Sequence, residues 1–296
     1  MTTVSIIGMG RVGGAFAVAL PKDRYSLDTL FTRDGDLQTS VASAIPANVA
    51  KASSLQDADE IASDVVLITT QDNEIATAAS QIVQKIRPGT VVLHTSGALS
   101  SSVLEVLRQT QSALGSLHPL VSVSSPELGP ERFRGAFFCV EGDPKAVEVG
   151  QQIAADLGGR PFSVATEFKT LYHASAVTAC GHLVALFDAA VEMMTRCGLD
   201  ESESKQILLP LVKSTVNNLG LQSTAEALTG TFARADIETF TRHLTALNQY
   251  GSDELLEIYL LLGERSLELA AKQGVSRERI DSMRTKVTIA KSKLKW

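Results

Sequence analysis

The sequence predicts a two-domain protein in which a doubly wound α/β sheet is followed by an all-α domain. Three observations support this prediction. At 296 residues the chain is long for a single hydrophobic core. Its first half alternates short apolar runs with amphipathic stretches, and only helical periods follow residue 168. We therefore place a sheet domain over residues 1–164 and a helical domain over residues 165–296, joined near the stretch GGRPFSVATE.

Six strands and four helices are predicted in the first domain. The strands cover residues 4–7, 27–32, 65–69, 91–94, 113–117 and 136–140, and the helices cover residues 12–20, 74–86, 103–109 and 145–157. Because strands and helices alternate, the sheet should be mostly parallel, with helices on both faces. In the second domain, HLVALFDAAVEMM and DELLEIYLLLGERSLELAAK repeat apolar residues every three or four positions, which is typical of amphipathic helices. Pro210 is expected to start or kink one of them.

The composition limits the classes of partner. A net charge of −6 argues against a nucleic-acid-binding surface, which needs a strongly basic face. The longest apolar run, residues 171–187, contains His173 and His182 and is followed by Asp188. We interpret it as a buried helix and expect no membrane partner. Glycines interrupt the apolar N-terminal segment, so no signal peptide is expected either.

The cysteine content indicates a reducing compartment. Cys139, Cys180 and Cys197 are three in number and widely spaced. That spacing suggests neither a disulfide framework nor a zinc site, and no other metal site is indicated. We therefore expect a cytoplasmic protein.

The stretch SIIGMGRVGG near the start of the chain contains the pattern G-x-G-x-x-G at Gly8, Gly10 and Gly13. It follows a predicted strand and opens a predicted helix, which is the context of the Rossmann dinucleotide-binding motif. The first glycine permits a tight turn, the second lets a pyrophosphate approach the backbone, and the third lets helix and strand pack closely. The helix N-terminus then offers free N–H groups to the phosphates. A glycine turn without a ligand is the alternative.

The end of the second strand bears on the choice between NAD and NADP. Thr32 and Arg33 could donate hydrogen bonds to a 2′-phosphate, so NADP is favoured and NAD is the alternative. Asp34 weakens this interpretation because its carboxylate could accept from a ribose hydroxyl or pair with Arg33, whereas Asp28 lies inside the strand. The cofactor contacts expected from the loop and the strand ends are Gly8, Met9, Gly10, Arg11, Val12, Gly13, Thr32, Arg33, Thr69, Thr70, Gln71, Ile75 and Thr95.

Polar residues follow two further strands of the predicted sheet. HTSGALS brings His94 and Ser96, and LHPL brings His118. Ligands of open α/β sheets lie beyond the carboxyl ends of the strands, so these side chains are candidates for catalysis. Each histidine could instead be an ordinary loop residue.

The first long helix of the second domain carries His173 and His182. His173 shares one helical face with residues 177, 180 and 184, and Lys169 lies one turn earlier on the same side. His173 is therefore the better candidate for facing the cleft between the domains. His182 projects to the opposite side, which predicts a core or subunit-contact position.

Four residues further along are weaker candidates for substrate binding. Lys213 and Asn217 lie four residues apart on one helical face. Arg234 could hold a carboxylate or be an ordinary surface residue, and Asp236 could equally be a helix N-cap.

The chain resembles the family that pairs a Rossmann-like domain with a C-terminal domain of unknown function 2520. HTSGALSS, GSLHPL, FCVEGD, LYHASAVTACGHLVAL, LLPLVKSTVNNL and ALTGTFARADIETFTRHL all match its pattern, which covers nearly the whole chain. More distantly, the chain is similar to pyrroline-5-carboxylate reductases, deazaflavin-dependent NADP reductases and the 6-phosphogluconate and 3-hydroxyisobutyrate dehydrogenase superfamily. That resemblance implies NADP as cofactor and a helical domain that dimerises and completes the active site.

The chain departs from the family pattern at three positions. Gly181 stands where asparagine is common, Thr231 where proline is common, and Ala235 where glycine is common. The lysine and asparagine of the hydroxyacid dehydrogenases do not align cleanly with Lys169, so their proton-transfer chemistry is not transferred.

Two functions follow as hypotheses. The first is an NADP-dependent oxidoreductase that reduces or oxidises a small polar carbonyl or imine in the interdomain cleft. His173 or His118 would be the acid/base, because imidazole titrates near working pH. His94 and Ser96 would orient substrate or nicotinamide, and Arg234 would hold an anionic group.

The second hypothesis is a non-catalytic NADP(H) sensor or scaffold, which the glycine at position 181 motivates. In either case a homodimer through the second domain is expected, since Leu255, Leu260 and Leu261 add apolar surface there.

Overall fold

The computed structural model describes residues 1–33, 35, 45, 51–121, 123, 125–292 and 294. The chain divides into two compact units, Met1–Thr178 and Ala179–Trp296. This division falls inside a long helix. The boundary predicted between residues 164 and 165 separates a sheet domain from a helical domain by their secondary structure. The division into compact units does not test it, so it stays a prediction.

The first unit is built on a mostly parallel sheet, as the sequence predicts, but the sheet has eight strands where six were predicted. The strands are β1 (Thr2–Ile7), β2 (Tyr25–Thr32), β3 (Lys51–Ser54), β4 (Val65–Ile68), β5 (Val91–His94), β6 (Ala113–Pro119), β7 (Phe137–Gly142) and β8 (Arg160–Ser163). Their order is β3-β2-β1-β4-β5-β6-β7-β8. Neighbouring strands are parallel except β6 and β7, which pair antiparallel.

Two strands, β3 and β8, were not predicted from the sequence, and both lie at the edges of the sheet. β3 is only four residues long and polar, so it carries no apolar run. β8 falls in the stretch interpreted as a connection between domains, and it contains Pro161. Proline lacks an N–H donor and is tolerated in an edge strand, which is where β8 lies.

Helices cover both faces of this sheet. They are α1 (Arg11–Ala19), α2 (Asp72–Ile82), α3 (Gly129–Phe133) and α4 (Pro144–Asp156), with 3₁₀ segments at Ser101–Thr110, Pro126–Leu128 and Thr166–Phe168. One core packs Phe16, Phe133 and Phe138 on the side of α1 and α4. The opposite core packs α2 residues such as Ile82 against Val66 and Leu104. Strands buried on both faces explain why they appear as continuous apolar runs.

The remaining helices are α5 (Lys169–Arg196), α6 (Glu201–Leu221), α7 (Thr224–Ala227), α8 (Gly230–Ala233), α9 (Ile237–Tyr250), α10 (Asp253–Lys272) and α11 (Arg277–Lys291). All regular elements in the described part of the second unit are helices, as predicted. Its core packs Phe240, Leu260, Leu267 and Met283. Pro210 lies inside α6, so it does not start a helix.

The predicted burial of the apolar run at residues 171–187 is wrong, although the run is helical. Leu171 and Val184 on α5 are each 68% exposed in the single chain. Among the described residues, the segment Thr166–Arg196 is the single helix whose length and hydropathy would suffice to cross a membrane. Core helices of soluble proteins pass the same criterion, so this is weak support for a span. Many apolar side chains of this run are therefore exposed in the single chain.

Candidate cofactor and active site

The glycine loop between β1 and α1 has the geometry that its spacing predicts. Gly8 has φ +98°, a conformation that residues with a Cβ rarely adopt. A Cβ on Gly13 would overlap the Gly8 carbonyl oxygen and the Thr69 hydroxyl, so α1 can pack this closely only with glycine there. The Thr69 hydroxyl donates to the Gly8 carbonyl at 2.5 Å and ties the loop to the end of β4.

Gly10 is the open position of the loop. It is the N-cap of α1, and a Cβ built there meets nothing within 4 Å. Since glycine has no side chain to cap the helix, the first N–H groups of α1 remain available to an anion.

A cavity of about 750 Å³ lies beyond the carboxyl ends of β1, β2 and β4. Eight of the predicted cofactor residues line it, namely Gly8, Met9, Gly10, Thr32, Arg33, Thr69, Thr70 and Gln71. Arg11, Val12, Gly13, Ile75 and Thr95 are not among the lining residues. Ile75 lies on α2 and is fully buried in the core that α2 covers, so its side chain does not reach the cavity.

Sequence reasoning missed the far wall of this cavity. The wall consists of Ser54, Leu55, Gln56, Glu74, Thr77, Ala78 and Gln81. These residues come from the end of the unpredicted β3 and from one face of α2. The spacing of Glu74, Thr77, Ala78 and Gln81 is that of a single helical face and was the available signal.

Arg33 lies at the rim of the cavity and pairs with Glu74. The two side chains are 3.0 Å apart, and that of Arg33 is 90% exposed. Asp34 lies outside the described residues. Asp28 lies within β2, as expected, and accepts a hydrogen bond from the Ser63 hydroxyl at 2.8 Å.

Two predicted catalytic histidines come together beside Gly97. The rings of His118 and His173 lie 5.8 Å apart, edge to face. A Cβ on Gly97 would overlap His173 Cδ2 and come within 2.7 Å of His118 Nε2, so both rings lie directly over this glycine. His118 Nδ1 is 2.9 Å from the Tyr172 hydroxyl. The adjacent strand ends and the start of α5 therefore form one imidazole cluster.

His94 and Ser96 have more local roles. His94 is fully buried, and its Nδ1 accepts the Ser96 N–H at 3.2 Å, which leaves the proton of the neutral ring on Nε2. In the described part of the chain, that buried Nε2 makes no hydrogen bond, and neither does the Thr70 hydroxyl. The Ser96 hydroxyl oxygen accepts the N–H groups of Ala98 and Leu99, so it shapes the turn after β5.

Burial keeps two of these rings neutral. Burial away from solvent lowers the pKa of His118 to about 3, and the nearby positive charge of Lys169 lowers it further. Burial, again with Lys169, lowers the pKa of His94 to about 4. Near neutral pH both rings are therefore uncharged and can each donate one hydrogen bond and accept another.

These shifts predict acid sensitivity. In the unfolded chain histidine titrates near pH 6.5, so below that pH the unfolded state binds more protons than the folded state. The free energy of unfolding should fall between pH 7 and pH 5 by about 1–2 kcal/mol for each ring. Urea unfolding of the wild type and of His118→Gln at both pH values tests this. An equal loss of stability in the two proteins would contradict it.

A buried network of charged and polar groups lies under the cluster, and sequence reasoning missed most of it. Lys169 is fully buried, and its ammonium donates to the Ser116 hydroxyl at 2.9 Å. That hydroxyl donates to Glu141 at 2.8 Å. The Glu141 carboxylate also accepts from the Ser101 N–H and hydroxyl and from the Thr166 hydroxyl. Its charge is therefore held by four donors, as a buried carboxylate requires.

Most of the candidate substrate-binding residues in the second unit are exposed. Lys213 and Asn217 are exposed on α6. The Asp236 carboxylate accepts the Thr239 N–H at 3.0 Å and caps α9, which agrees with the helix-cap alternative. Arg234 is exposed. His182 is exposed as well, so its predicted core position is wrong, and the subunit-contact alternative stays a prediction.

Two domain models match the chain. Residues 1–119 match a Rossmann-like domain, and residues 136–266 match a domain of unknown function, DUF2520. The chain carries a Rossmann-like domain and a DUF2520 domain. This confirms the pairing that the sequence motifs indicate. The DUF2520 match includes β7, β8 and α5, so Cys139, Glu141 and Lys169 lie within it.

Solved structures share this fold at low sequence identity. Protein TM1727 from Thermotoga maritima is 24% identical with a TM-score of 0.73, covering 91% of this chain and 99% of its own. A candidate NADP oxidoreductase from Bacteroides fragilis is 20% identical with a TM-score of 0.69, covering 90% and 98%. A reductive aminase from Aspergillus terreus, in complex with NADPH4, cyclohexanone and allyl amine, is 16% identical with a TM-score of 0.55, covering 98% and 93%. No protein of curated function matches the sequence.

Proposed function

We propose that the protein is an NADP-dependent oxidoreductase that transfers a hydride to or from a small polar carbonyl or imine. The observation that carries the proposal is that the glycine-loop cavity and the imidazole cluster lie next to each other along the strand ends. The glycine loop and its cavity follow β1, β2 and β4, and His94 ends β5, where it lies beside Ile68 of β4. A dinucleotide bound along these ends would reach the imidazole cluster.

The residues present fit such a cofactor. Gly10 leaves room for a diphosphate, and the buried Thr70 hydroxyl lacks a partner among the described residues. Arg33 could turn from Glu74 to a 2′-phosphate, because an exposed ion pair costs at most about 1 kcal/mol to break. The names of the structural neighbours, several of which mention NADP or NADPH, support the same assignment.

The cofactor would supply the hydride, and the protein must position the acceptor and move a proton. His118 and His173 pack against Gly97, and a substrate oxygen or nitrogen placed beside the two rings could accept a hydrogen bond from a ring N–H. The His94 ring also has a donor without a hydrogen bond in the described chain, which suits a role in orienting substrate or nicotinamide.

The test is a search for NADPH oxidation with 2-oxoacids, cyclic imines and aldehydes. We expect turnover with at least one compound and a loss of about 100-fold or more in His173→Ala, typical of removing an acid/base group. His243→Gln is the control, since that ring bonds to Tyr259 in the second unit. Unchanged turnover in His173→Ala would exclude the residue from catalysis. Cofactor binding without turnover on any compound would favour the sensor or scaffold alternative.

Arg33 should decide the choice between NADP and NAD. Replacing it with alanine should weaken NADPH binding by about 10- to 100-fold, since a hydrogen bond to a charged group is worth about 1.5–3 kcal/mol. NADH binding should not change, because NADH lacks the 2′-phosphate. Arg87→Ala is the matched control, as Arg87 also forms an exposed ion pair, with Asp64. Equal losses for NADH and NADPH in Arg33→Ala would contradict this role.

A second copy of the chain is the proposed partner. Several large apolar side chains on α5 and α6 are exposed, including Leu171, Val184, Leu211 and Leu221. Burying such surface against a second chain in the cytoplasm would stabilise a homodimer, since each fully buried side chain contributes about 1.5–3 kcal/mol. We expect a dimer mass by light scattering and a monomer in Val184→Asp. A monomeric wild type, or co-flotation with lipid vesicles, would contradict this proposal.

A further inference from the structure

We propose that Tyr172 is a positioning residue that holds His118 in one orientation and one tautomer, so that the ring presents an Nε2–H donor to the substrate. His118 would then orient and polarise a carbonyl oxygen or an imine nitrogen without giving up its proton, and His173 would be the acid/base. The inference rests on the proposed oxidoreductase function and deepens it, because it divides the work between the two rings.

A direct hydrogen bond joins Tyr172 to His118. The Tyr172 hydroxyl lies 2.9 Å from His118 Nδ1, and the two rings meet edge to face with their centroids 5.9 Å apart. A phenol is a stronger donor than the N–H of a neutral imidazole, and an unprotonated imidazole nitrogen is a stronger acceptor than a phenol oxygen. The hydroxyl therefore donates to Nδ1, and the neutral ring carries its proton on Nε2.

The Tyr172 ring is itself held in place by two neighbours. Phe162 of β8 packs edge to face against it, with the ring centroids 5.7 Å apart. The Lys169 ammonium, from the first residue of α5, lies over the Tyr172 ring, 5.5 Å from its centroid. A cation over an aromatic face is attracted to the ring and draws electron density from the hydroxyl, which makes that hydroxyl a better donor. Burial raises the pKa of Tyr172, so the hydroxyl keeps its proton.

Hydrogen bonds anchor the start of α5 to the sheet. The fully buried Lys169 donates to the Ser116 hydroxyl at 2.9 Å, and that hydroxyl donates to the Glu141 carboxylate at 2.8 Å. Glu141 also accepts from the hydroxyl of Thr166, just before α5, at 2.8 Å. These contacts tie the segment that enters α5 to β6 and β7, so its first turn is held in one place beside the strand that carries His118.

The second nitrogen of the His118 ring is left for a ligand. In the described part of the chain, His118 Nε2 makes no hydrogen bond, and the residue is partly exposed. Nε2 is on the side of Gly97, against which His173 also packs. Burial lowers the pKa of His118 to about 3, which matches proton transfer near pH 7 poorly. The N–H of the neutral ring can still donate a hydrogen bond, which fits the orienting role.

NMR of the full-length protein labelled with ¹⁵N-histidine tests the tautomer without any substrate. In the wild type we expect the proton of His118 on Nε2 and an Nδ1 resonance shifted by the hydrogen bond that it accepts. In Tyr172→Phe the Nδ1 resonance should move toward that of a free acceptor nitrogen. Tyr259→Phe is the matched control, because the Tyr259 hydroxyl lies 2.7 Å from His243 Nδ1 in the second unit. This control should change the His243 signals and leave those of His118 in place.

Steady-state kinetics test the consequence for the reaction. We expect Tyr172→Phe to lower kcat by about tenfold or more, because the released ring can leave its working position, while KM for NADPH stays the same. Tyr259→Phe should keep the wild-type kcat. Because Tyr172 acts through His118, Tyr172→Phe should cost nothing more in a His118→Gln background. Melting temperatures check that each variant folds, and the wild-type NMR spectrum decides the tautomer even if one does not.

The outcomes separate this inference from the function on which it rests. A wild-type spectrum with the His118 proton on Nδ1 overturns the inference and leaves the oxidoreductase proposal standing. The inference is also overturned if Tyr172→Phe keeps the wild-type kcat, or if it slows His118→Gln as much as it slows the wild type. If the wild type turns over no compound, the oxidoreductase proposal fails and the orienting role of His118 fails with it.

Discussion

Replacing Gly10 with alanine is expected to weaken NADPH binding by about tenfold or more while leaving the free energy of unfolding unchanged. Gly10 has φ −76°, which any residue adopts, and a Cβ there meets nothing within 4 Å in the chain alone. The methyl group would instead occupy the space through which a diphosphate reaches the N–H groups of α1. Forcing a methyl group into a close contact costs about 1–3 kcal/mol. Calorimetric titration and urea unfolding measure the two quantities separately.

Two other glycines make this experiment specific. Gly13→Ala should lose both stability and binding, because its Cβ would overlap the Gly8 carbonyl and Thr69. Gly220→Ala should lose neither, since it is an exposed helical position with nothing within 4 Å of an added Cβ. If Gly10→Ala bound NADPH as tightly as the wild type, the diphosphate would not lie on this loop.

Gly97→Ala is expected to reduce kcat by about 100-fold while NADPH affinity stays the same. An added Cβ would push against His173 Cδ2 and lie 2.7 Å from His118 Nε2. The ends of these side chains can move, so the rings would shift by a fraction of an ångström to about 1 Å and leave their working positions. A misplacement of that size can cost about 100-fold in rate. Steady-state kinetics and calorimetry on the same preparation measure both effects.

An outcome in which Gly97→Ala lost cofactor binding and kept its turnover number would contradict the placement of the imidazoles at the reacting centre. Gly220→Ala serves again as the control for a general effect of the substitution. NMR of the histidine side chains reports the displacement directly, whether or not a substrate is known.

The glycine loop could be predicted from sequence because its geometry is local. A strand, three glycines and a helix lie within one short segment, and each glycine has its own steric reason. The histidines at the carboxyl ends of β5 and β6 could be placed for a similar reason, since parallel strands bring these ends to one edge of the sheet. Both predictions needed no knowledge of strand register.

The buried network could not be predicted because it depends on the register of one antiparallel pair. Cys139 is far from His118 in sequence, and only the β6–β7 ladder places them opposite each other. Had β7 run parallel to β6, different residues would face α5. The exposure of α5 was not predicted for a related reason. An apolar pattern shows that a helix face tends to be buried, but it does not show whether the same chain or a second chain buries it.

The Arg33–Glu74 pair shows a third limit. The sequence suggests Arg33 as a phosphate donor and offers Asp34 as its carboxylate partner. The structure pairs Arg33 with Glu74 on α2, a contact that only the three-dimensional packing can reveal, and Asp34 lies outside the described residues.

Calorimetric titration of the wild-type protein with NADPH, NADP⁺, NADH and NAD⁺ tests the central claim most directly. The cavity, the open Gly10 and the exposed Arg33 predict heat of association with the phosphorylated pair and weaker binding of the other two. An absence of heat with all four nucleotides at millimolar concentration would contradict the dinucleotide site and the functions proposed from it.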